Sequence, residues 1–266
     1  MSLLKYIQIA KNTLQEYFTY RVNFFFWRLQ VFFSFIIYYS LWFAVSSSQG
    51  GIASYTASSI YTYFVLGYLV RTLVFSTRTA DIGGDIQNGN LSTLILKPLS
   101  PVKYYFARDT IDKLFNLIFM SFEFLLIIFL YKPQLIFPNP SSLLFFILLI
   151  LFATISFFFY SLIISFITFW VDEAWSTRFL FGVVFVNLFS GQIIPLDLLP
   201  HWIQNILNFT PYPYFFFYPI KVWLNQLPIS QYPSLLLSYL VLILVTYSIS
   251  SFMWQKGKVK YQSYGQ

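Results

Sequence analysis

Residues 143–170 read LLFFILLILFATISFFFYSLIISFITFW and contain no charged side chain. An apolar run of at least about 18 residues is the signature of a transmembrane helix. At about 1.5 Å per residue, a helix of this length exceeds the hydrocarbon core of a bilayer, which is about 30 Å thick. The stretch therefore predicts a membrane-spanning helix that tilts or extends past the interface.

The whole chain has the composition of an integral membrane protein. Of its 266 residues, 58% are hydrophobic and 9% are charged, whereas about a quarter of the residues in a soluble domain are charged. No polar stretch is long enough for a separate soluble domain, so residues 1–266 are predicted to form a single membrane domain. Cysteine is absent and histidine occurs once, which argues against thiol chemistry and a metal site.

Five further apolar runs predict five more spans, which makes six in an all-α membrane fold. They are residues 29–45, 60–77, 114–131, 179–194 and 235–254. An even number of spans places both termini on the same side of the membrane. Of the Lys and Arg residues, only Lys132 and Lys221 fall on the opposite side, and only Arg71 falls inside a span. The positive-inside rule therefore predicts cytoplasmic termini, and topology explains the net charge of +7 without nucleic-acid binding.

Residues 1–28 precede the first span and have an amphipathic pattern. Leu3, Ile7, Ala10 and Leu14 recur at helical spacing, with polar residues on the other face. The pattern predicts a helix lying in the membrane interface, either as a plain anchor or as an elbow that transmits movement to the first span.

Residues 78–113 form the main predicted cytoplasmic loop. Asp81 and Asp85 lie one turn apart, and Asn88-Gly89 can end their helix. A second short apolar face stops at Lys97-Pro98, and Ser100-Pro101 begins a third helix. The two carboxylates, which have no cation next to them in sequence, are either a solvated face or a docking surface for a basic partner.

Three other features carry charge or a chain break. Asp172 and Glu173 lie in the short loop before the fifth span, as helix caps or as a second partner contact. Arg71 and Glu123 lie at similar depth within spans two and three, where isolated charges are costly. They are interpreted as separately satisfied groups, as an ion pair, or as contacts to substrate. The fifth span breaks in SGQIIPLDLLPHW, residues 190–202.

Catalytic patterns are missing from the sequence. It contains no G-x-x-x-x-G-K-[ST], no G-x-S-x-G and no H-E-x-x-H, and His201 is more typical of an interfacial residue than of a catalyst. The sequence therefore predicts no enzyme, and any active transport must draw its energy from another subunit.

Two motifs in a six-span chain with an interfacial helix carry a family resemblance. DIGGDIQNGNLSTLILKPLSP, residues 81–101, and the break at residues 190–202 resemble type-2 permease subunits of ATP-binding-cassette (ABC) transporters, in particular bacterial export permeases paired with a separate ATPase. The resemblance covers nearly the whole chain. It implies a multi-pass protein of the inner membrane that dimerises with itself or with a sibling permease. It also implies no cofactor in this chain, because the partner ATPase binds ATP and Mg²⁺.

The resemblance further implies roles for particular residues. Residues 78–113 would be the coupling loop that contacts the ATPase, with candidate contacts at Asp81, Ile82, Asp85, Ile86, Leu91, Leu94 and Pro98, and a second set at Asp172 and Glu173. Residues 194–219 would form a re-entrant helical hairpin on the outer face. Its gate geometry would come from Gly191, Pro195, Pro200 and Trp202.

Two other classes stay open at this point. An ion-coupled secondary transporter or a channel would be expected to carry ionisable residues in several spans, and this chain has Arg71 and Glu123 alone within the predicted spans. A non-transport membrane scaffold is the other class. The sequence does not identify a substrate.

Overall fold

The computed structural model describes residues 3–49, 51–52, 55–171 and 175–261. Asp172 and Glu173 lie outside the described residues. The α-helices are α1 (Leu3–Thr19), α2 (Arg21–Gln49), α3 (Ala57–Val74), α4 (Thr79–Gln87), α5 (Leu91–Ile95), α6 (Pro101–Tyr131), α7 (Pro140–Phe166), α8 (Trp175–Phe179), α9 (Phe185–Phe189), α10 (His201–Asn208), α11 (Tyr212–Phe215), α12 (Phe217–Trp223) and α13 (Tyr232–Lys260).

Short elements join these helices. A π-helical turn, Leu180–Val184, links α8 to α9, and 3-10 turns lie at Ile167–Phe169, Leu196–Leu198 and Ile229–Gln231. Two-residue antiparallel strands, β1 (Gly51–Ile52) and β2 (Tyr55–Thr56), lie before α3.

Four helical segments are long and apolar enough to cross a membrane, which confirms the prediction of a helical membrane protein. They are Arg21–Ser46, Pro101–Tyr131, Pro140–Phe169 and Ile229–Lys260. α3 and α4 pass the same test only together, with a bend of 43° between them, so the spans number four or five by length and composition. The predicted fifth span is the shorter apolar stretch Trp175–Phe189. Six spans and cytoplasmic termini stay predictions.

The start of the first long helix differs from the prediction. α1 ends at Thr19 and α2 begins at Arg21, so the predicted interfacial segment 1–28 takes in the first two turns of the spanning helix. Arg28 is therefore a residue of that helix, and it is buried. α1 packs on α6 through a buried face that includes Ile9, Thr13 and Tyr17.

The buried core consists of two hydrophobic clusters. The larger cluster surrounds α3, whose Ile60, Tyr63 and Val70 are fully buried. The smaller cluster fastens α4 and α5 to the ends of α6 and α7, and it includes Tyr105 and Phe166. The predicted order of short helix, turn, short helix, turn and long helix in residues 78–113 is confirmed.

Residues 194–219 fold as short helices separated at prolines, as the sequence predicts. Pro195 precedes the turn Leu196–Leu198, Pro200 precedes α10, and the helical part continues through α12 to Trp223. Trp202 is exposed. The position of this segment relative to the membrane stays a prediction.

Gly191 fixes how the chain leaves α9. Its φ is +92°, a backbone conformation that residues other than glycine rarely adopt. Its carbonyl accepts a hydrogen bond of 2.7 Å from the Tyr63 hydroxyl. A Cβ added there would lie 2.8 Å from that hydroxyl oxygen.

Gly191→Ala is expected to lower the free energy of unfolding by about 1–2 kcal/mol, because the left-handed backbone costs that much for an L-residue. Thermal unfolding of the purified protein in detergent measures the change. Gly182→Ala is the matched control, because its added Cβ would meet only Ile164 Cδ1, at 3.9 Å. Equal unfolding temperatures for the two variants would contradict the assignment of strain to Gly191.

Candidate functional site

The helices bury a chain of polar side chains, the polar seam, which follows α6 from the end that bears α4 toward the middle of α6. Its members are Glu16, Tyr17, Arg28, Tyr68, Ser76, Arg78, Asp81, Arg108, Asp109, Asp112, Lys113, Asn116 and Glu123. Asp112, Asn116 and Glu123 follow one another at intervals of four and seven residues, which places them on one face of α6.

The inner end of the polar seam is a two-pronged ion pair between α2 and α6. Arg28 Nε donates to Glu123 Oε1 at 3.0 Å, and Arg28 Nη2 contacts Glu123 Oε2. Tyr68 of α3 donates to the same carboxylate, and Arg28 Nη1 lies 3.4 Å from Asn116 Oδ1. The Arg28 side chain is 5% exposed. Bidentate pairing and extra hydrogen bonds are what a buried ion pair needs to offset its desolvation.

Of the three interpretations left open for Arg71 and Glu123, the structure does not show the ion pair between them. Glu123 pairs with Arg28, and Tyr68, one turn before Arg71 on α3, supplies the contact from that helix. The sequence interpretation placed Arg28 in the interface because it began the first span at residue 29. Moving the helix start to Arg21 puts a second cation within reach of Glu123.

Asp112 is the centre of the polar seam. Its carboxylate accepts hydrogen bonds from Tyr17 of α1, from Ser76, from Arg78 Nε at 3.0 Å and from Asn116 Nδ2 at 3.1 Å. The Arg78 guanidinium also lies over the Tyr17 ring, 4.7 Å from its centroid. Asp112 therefore ties together α1, the connection after α3, and α6.

The polar seam ends at the first loop helix. Asp81 of α4 lies 3.3 Å from Arg108 and 3.8 Å from Arg78, and Arg108 also pairs with Glu16 of α1 at 2.6 Å. Asp85 accepts a hydrogen bond from the Tyr105 hydroxyl. The predicted acidic face without a nearby cation is thus corrected, because α6 brings Arg108 to it from a distance in sequence.

The structure buries four of the predicted coupling contacts. Ile82, Ile86, Leu91 and Leu94 are at most 7% exposed and pack against α6 and α7, so they anchor the loop and present no surface in this structure. The exposed part is the loop tip, residues 95–98. It includes Pro98, Ile95 and Leu96, and Leu96 is 86% exposed. Sequence periodicity predicts an apolar face, but it does not show whether residues of this protein or of a partner cover that face.

A second ion pair lies at the opposite end of α3. Lys221 of α12 contacts Asp197 Oδ2 at 2.6 Å, and the Tyr55 hydroxyl donates to Asp197 Oδ1 at 2.8 Å. Burial raises the pKa of the Tyr55 phenol, with Tyr63 and Asp197 adding to the effect, so Tyr55 stays protonated and donates. The contacts fix the segment after Pro195 to α12 and β2. Sequence analysis missed this pair because it treated Lys221 only as a loop charge.

A cavity of about 440 Å³, the arginine cavity, lies between α2, α3, α7 and the α8–α9 stretch. Its lining includes Arg28, Arg71 and Arg178, several hydroxyl groups and aromatic rings. Among the residues that the structure describes, no three His, Cys, Asp or Glu side chains come together as a metal site would require.

Comparison with models of known protein families matches residues 32–265 to a family described as ABC-2 family transporter protein. The matched range takes in α3 to α13, and with them the loop tip, the α6 part of the polar seam and the arginine cavity apart from its lining residues Trp27, Arg28, Gln30 and Val31. No curated protein matches the chain in a sequence search.

Proposed function

The chain belongs to the ABC-2 transporter family, and we propose that it forms the substrate pathway of an exporter driven by a separate ATPase. The family makes it a multi-pass membrane permease of an ABC transporter, a transport subunit that is not itself catalytic. Such permeases generally work with an ATP-binding-cassette ATPase. This membership supports an ATP-driven permease over the ion-coupled carrier and the scaffold.

The finer parts of the proposal rest on the charge distribution, for the orientation, and on the resemblance to bacterial export permeases, for the rest. The permease lies in the inner membrane with cytoplasmic termini and forms a dimer with itself or with a sibling chain. ATP and Mg²⁺ bind to the ATPase, and nucleotide-driven closure of the ATPase pair alternates access to the pathway. The direction of transport is outward, by resemblance to bacterial export permeases.

The observation that carries ATPase coupling is the contrast between the base and the tip of the loop. The base is packed into the core through Ile82 and Leu91, whereas the apolar side chains of Leu96 and Ile95 are 86% and 44% exposed. An apolar group on a rigidly anchored support suits insertion into a groove of a partner. The loop tip, rather than the Asp81 and Asp85 face, is therefore the proposed ATPase contact.

The polar seam offers a route for the motion. Asp81 connects α4 to Arg108 of α6, and Arg78 connects the same region to Asp112. A shift of α4 has to move α6 with it or break ion pairs within the protein. Such a network of hydrogen bonds and ion pairs can transmit displacement from one helix to the next. The network extends to α2 through Arg28, which contacts Asn116 and Glu123 of α6.

Leu96→Glu is expected to reduce recovery of the ATPase at least about tenfold, because it places a charge in the apolar contact. The tagged permease is purified from its native host, the co-purifying P-loop ATPase subunit is identified by mass spectrometry, and ATP hydrolysis is measured. Val259→Glu is the matched control, because Val259 is an apolar residue of α13 that is 83% exposed, close to the 86% of Leu96, and it lies outside residues 95–98.

Two outcomes would overturn the proposal. Failure of the wild-type chain to bring down any ATPase would remove the energy source. Equal ATPase recovery with Leu96→Glu and with Val259→Glu would remove the loop tip as the contact.

A further inference from the structure

The arginine cavity has the size and the walls of a ligand site. Its volume of about 440 Å³ lies in the range of small-molecule pockets, about 300–1,000 Å³. Phe75, Phe157 and Phe179 supply aromatic walls, and Ser161 and Asn187 supply polar groups. It lies beside the end of α3 that continues into α4, which is the side of the loop tip.

The charge in the arginine cavity is unbalanced. Among the residues that the structure describes, three arginines line it and no aspartate or glutamate does. Arg28 is committed to Glu123, but among the described residues neither Arg71 nor Arg178 forms an ion pair. An unpaired guanidinium within a membrane segment is costly, and such residues mark functional sites. Two cations therefore surround a space to which no described residue contributes an anion.

We propose that the arginine cavity binds the phosphate group of an amphipathic substrate between Arg71 and Arg178. The inference names the substrate class of the pathway and rests on the proposed transport function. Guanidinium groups match phosphate oxygens through paired N–H donors, and the hydroxyl groups of the lining add further donors. The aromatic walls then face the apolar part of the molecule. A neutral substrate would leave both arginines without an anionic partner.

Arg178 also links the arginine cavity to the coupling loop. Its Nη1 donates to the Ala80 carbonyl of α4 at 3.3 Å, and its guanidinium lies against Gly83, where an added Cβ would come within 2.1 Å of Nη1. Only a residue without a side chain leaves room for Arg178 in this position. Movement of α4 therefore changes the position of a phosphate ligand.

The first experiment uses the purified permease without ATPase in a neutral detergent, with dihexanoyl phosphatidic acid as the probe. Binding is measured by the rise in unfolding temperature with concentration. Arg71→Met and Arg178→Met are each expected to weaken binding by about tenfold. Arg71→Lys is expected to weaken it less, because lysine keeps the positive charge but cannot make the two parallel hydrogen bonds of a guanidinium group. Lys258→Met, at an exposed position on α13, is expected to bind like the wild type.

Two further probes identify the source of the phosphate. Dihexanoyl glycerol, which lacks the phosphate, is expected not to bind, and inorganic phosphate is expected to bind far more weakly than the lipid. Equal binding of the two lipids, or wild-type binding by both methionine variants, would overturn the proposal. Equally tight binding of inorganic phosphate would overturn its amphipathic part and assign the site to soluble phosphate compounds.

Gly83→Ala tests the link to α4, with Gly84→Ala as a matched control on the same helix. No atom lies within 4 Å of a Cβ added at Gly84, so that change leaves Arg178 in place. Gly83→Ala is expected to weaken phosphatidic acid binding several-fold, and Gly84→Ala is expected to leave it unchanged. Equal binding by the two variants would show that α4 does not position Arg178. These measurements need no ATPase, so they stand even if the Leu96→Glu experiment fails.

Discussion

Arg28→Met is expected to destabilise the protein by about 3–5 kcal/mol, because removal of one partner leaves a buried charge uncompensated. The change removes every contact that Arg28 makes with Glu123, Asn116 and Tyr68. The Glu123 carboxylate then keeps only the Tyr68 hydroxyl within a membrane segment. Chemical unfolding of the purified protein in detergent measures the loss.

Arg71→Met is the matched control, since it removes the same charge one turn beyond Tyr68 on α3. It is expected to cost little, because Arg71 faces the arginine cavity and forms no ion pair with a described residue. The double variant Arg28→Met, Glu123→Gln should regain much of the lost stability, because no buried charge remains. A larger loss with Arg71→Met than with Arg28→Met would restore the pairing that the sequence suggests.

The parts of the fold that the sequence predicts depend on local physics. The thickness of the hydrocarbon core makes a charge-free run such as residues 143–170 a spanning helix whatever its neighbours are. Likewise, Pro98 and Pro101 limit the short helices of the loop through backbone geometry alone. α7 and the order of α4, α5 and α6 follow from these rules.

The parts that the sequence does not predict depend on which distant residues meet. Arg28 and Glu123 are 95 residues apart, and so are Tyr17 and Asp112. From the sequence, two charged residues are expected to pair when they lie at similar depth in the membrane, and that depth depends on the residue at which each helix starts. No proline or glycine marks the break between Thr19 and Arg21, so the start of α2 and the depth of Arg28 could not be located.

Asp112→Leu is expected to have the second large effect, about 2–4 kcal/mol, because one change leaves a partly buried cation and the Tyr17 and Ser76 hydroxyls without their acceptor. Arg78 keeps the Asp81 contact of 3.8 Å and its position over the Tyr17 ring, and the Tyr17 hydroxyl loses its acceptor on α6. The Tyr17 bond is a polar anchor of α1, whose remaining contacts with α6 are largely apolar, such as the stacking of Tyr17 on Phe115. α1 is therefore expected to loosen before the other helices.

Hydrogen exchange separates this local effect from a general loss of stability. In Asp112→Leu, the amides of α1 should exchange faster than those of α7, which shares no polar contact with Asp112. Asp112→Asn keeps the shape and one acceptor oxygen, so it should lose less stability and leave α1 protected. If α1 and α7 lost protection equally in the leucine variant, Asp112 would be a site of global stability rather than the anchor of α1. The Asp112 part of the polar seam would then not be a route by which the loop moves α1, and the elbow role of α1 would rest on the Glu16–Arg108 ion pair and on its apolar contacts with α6.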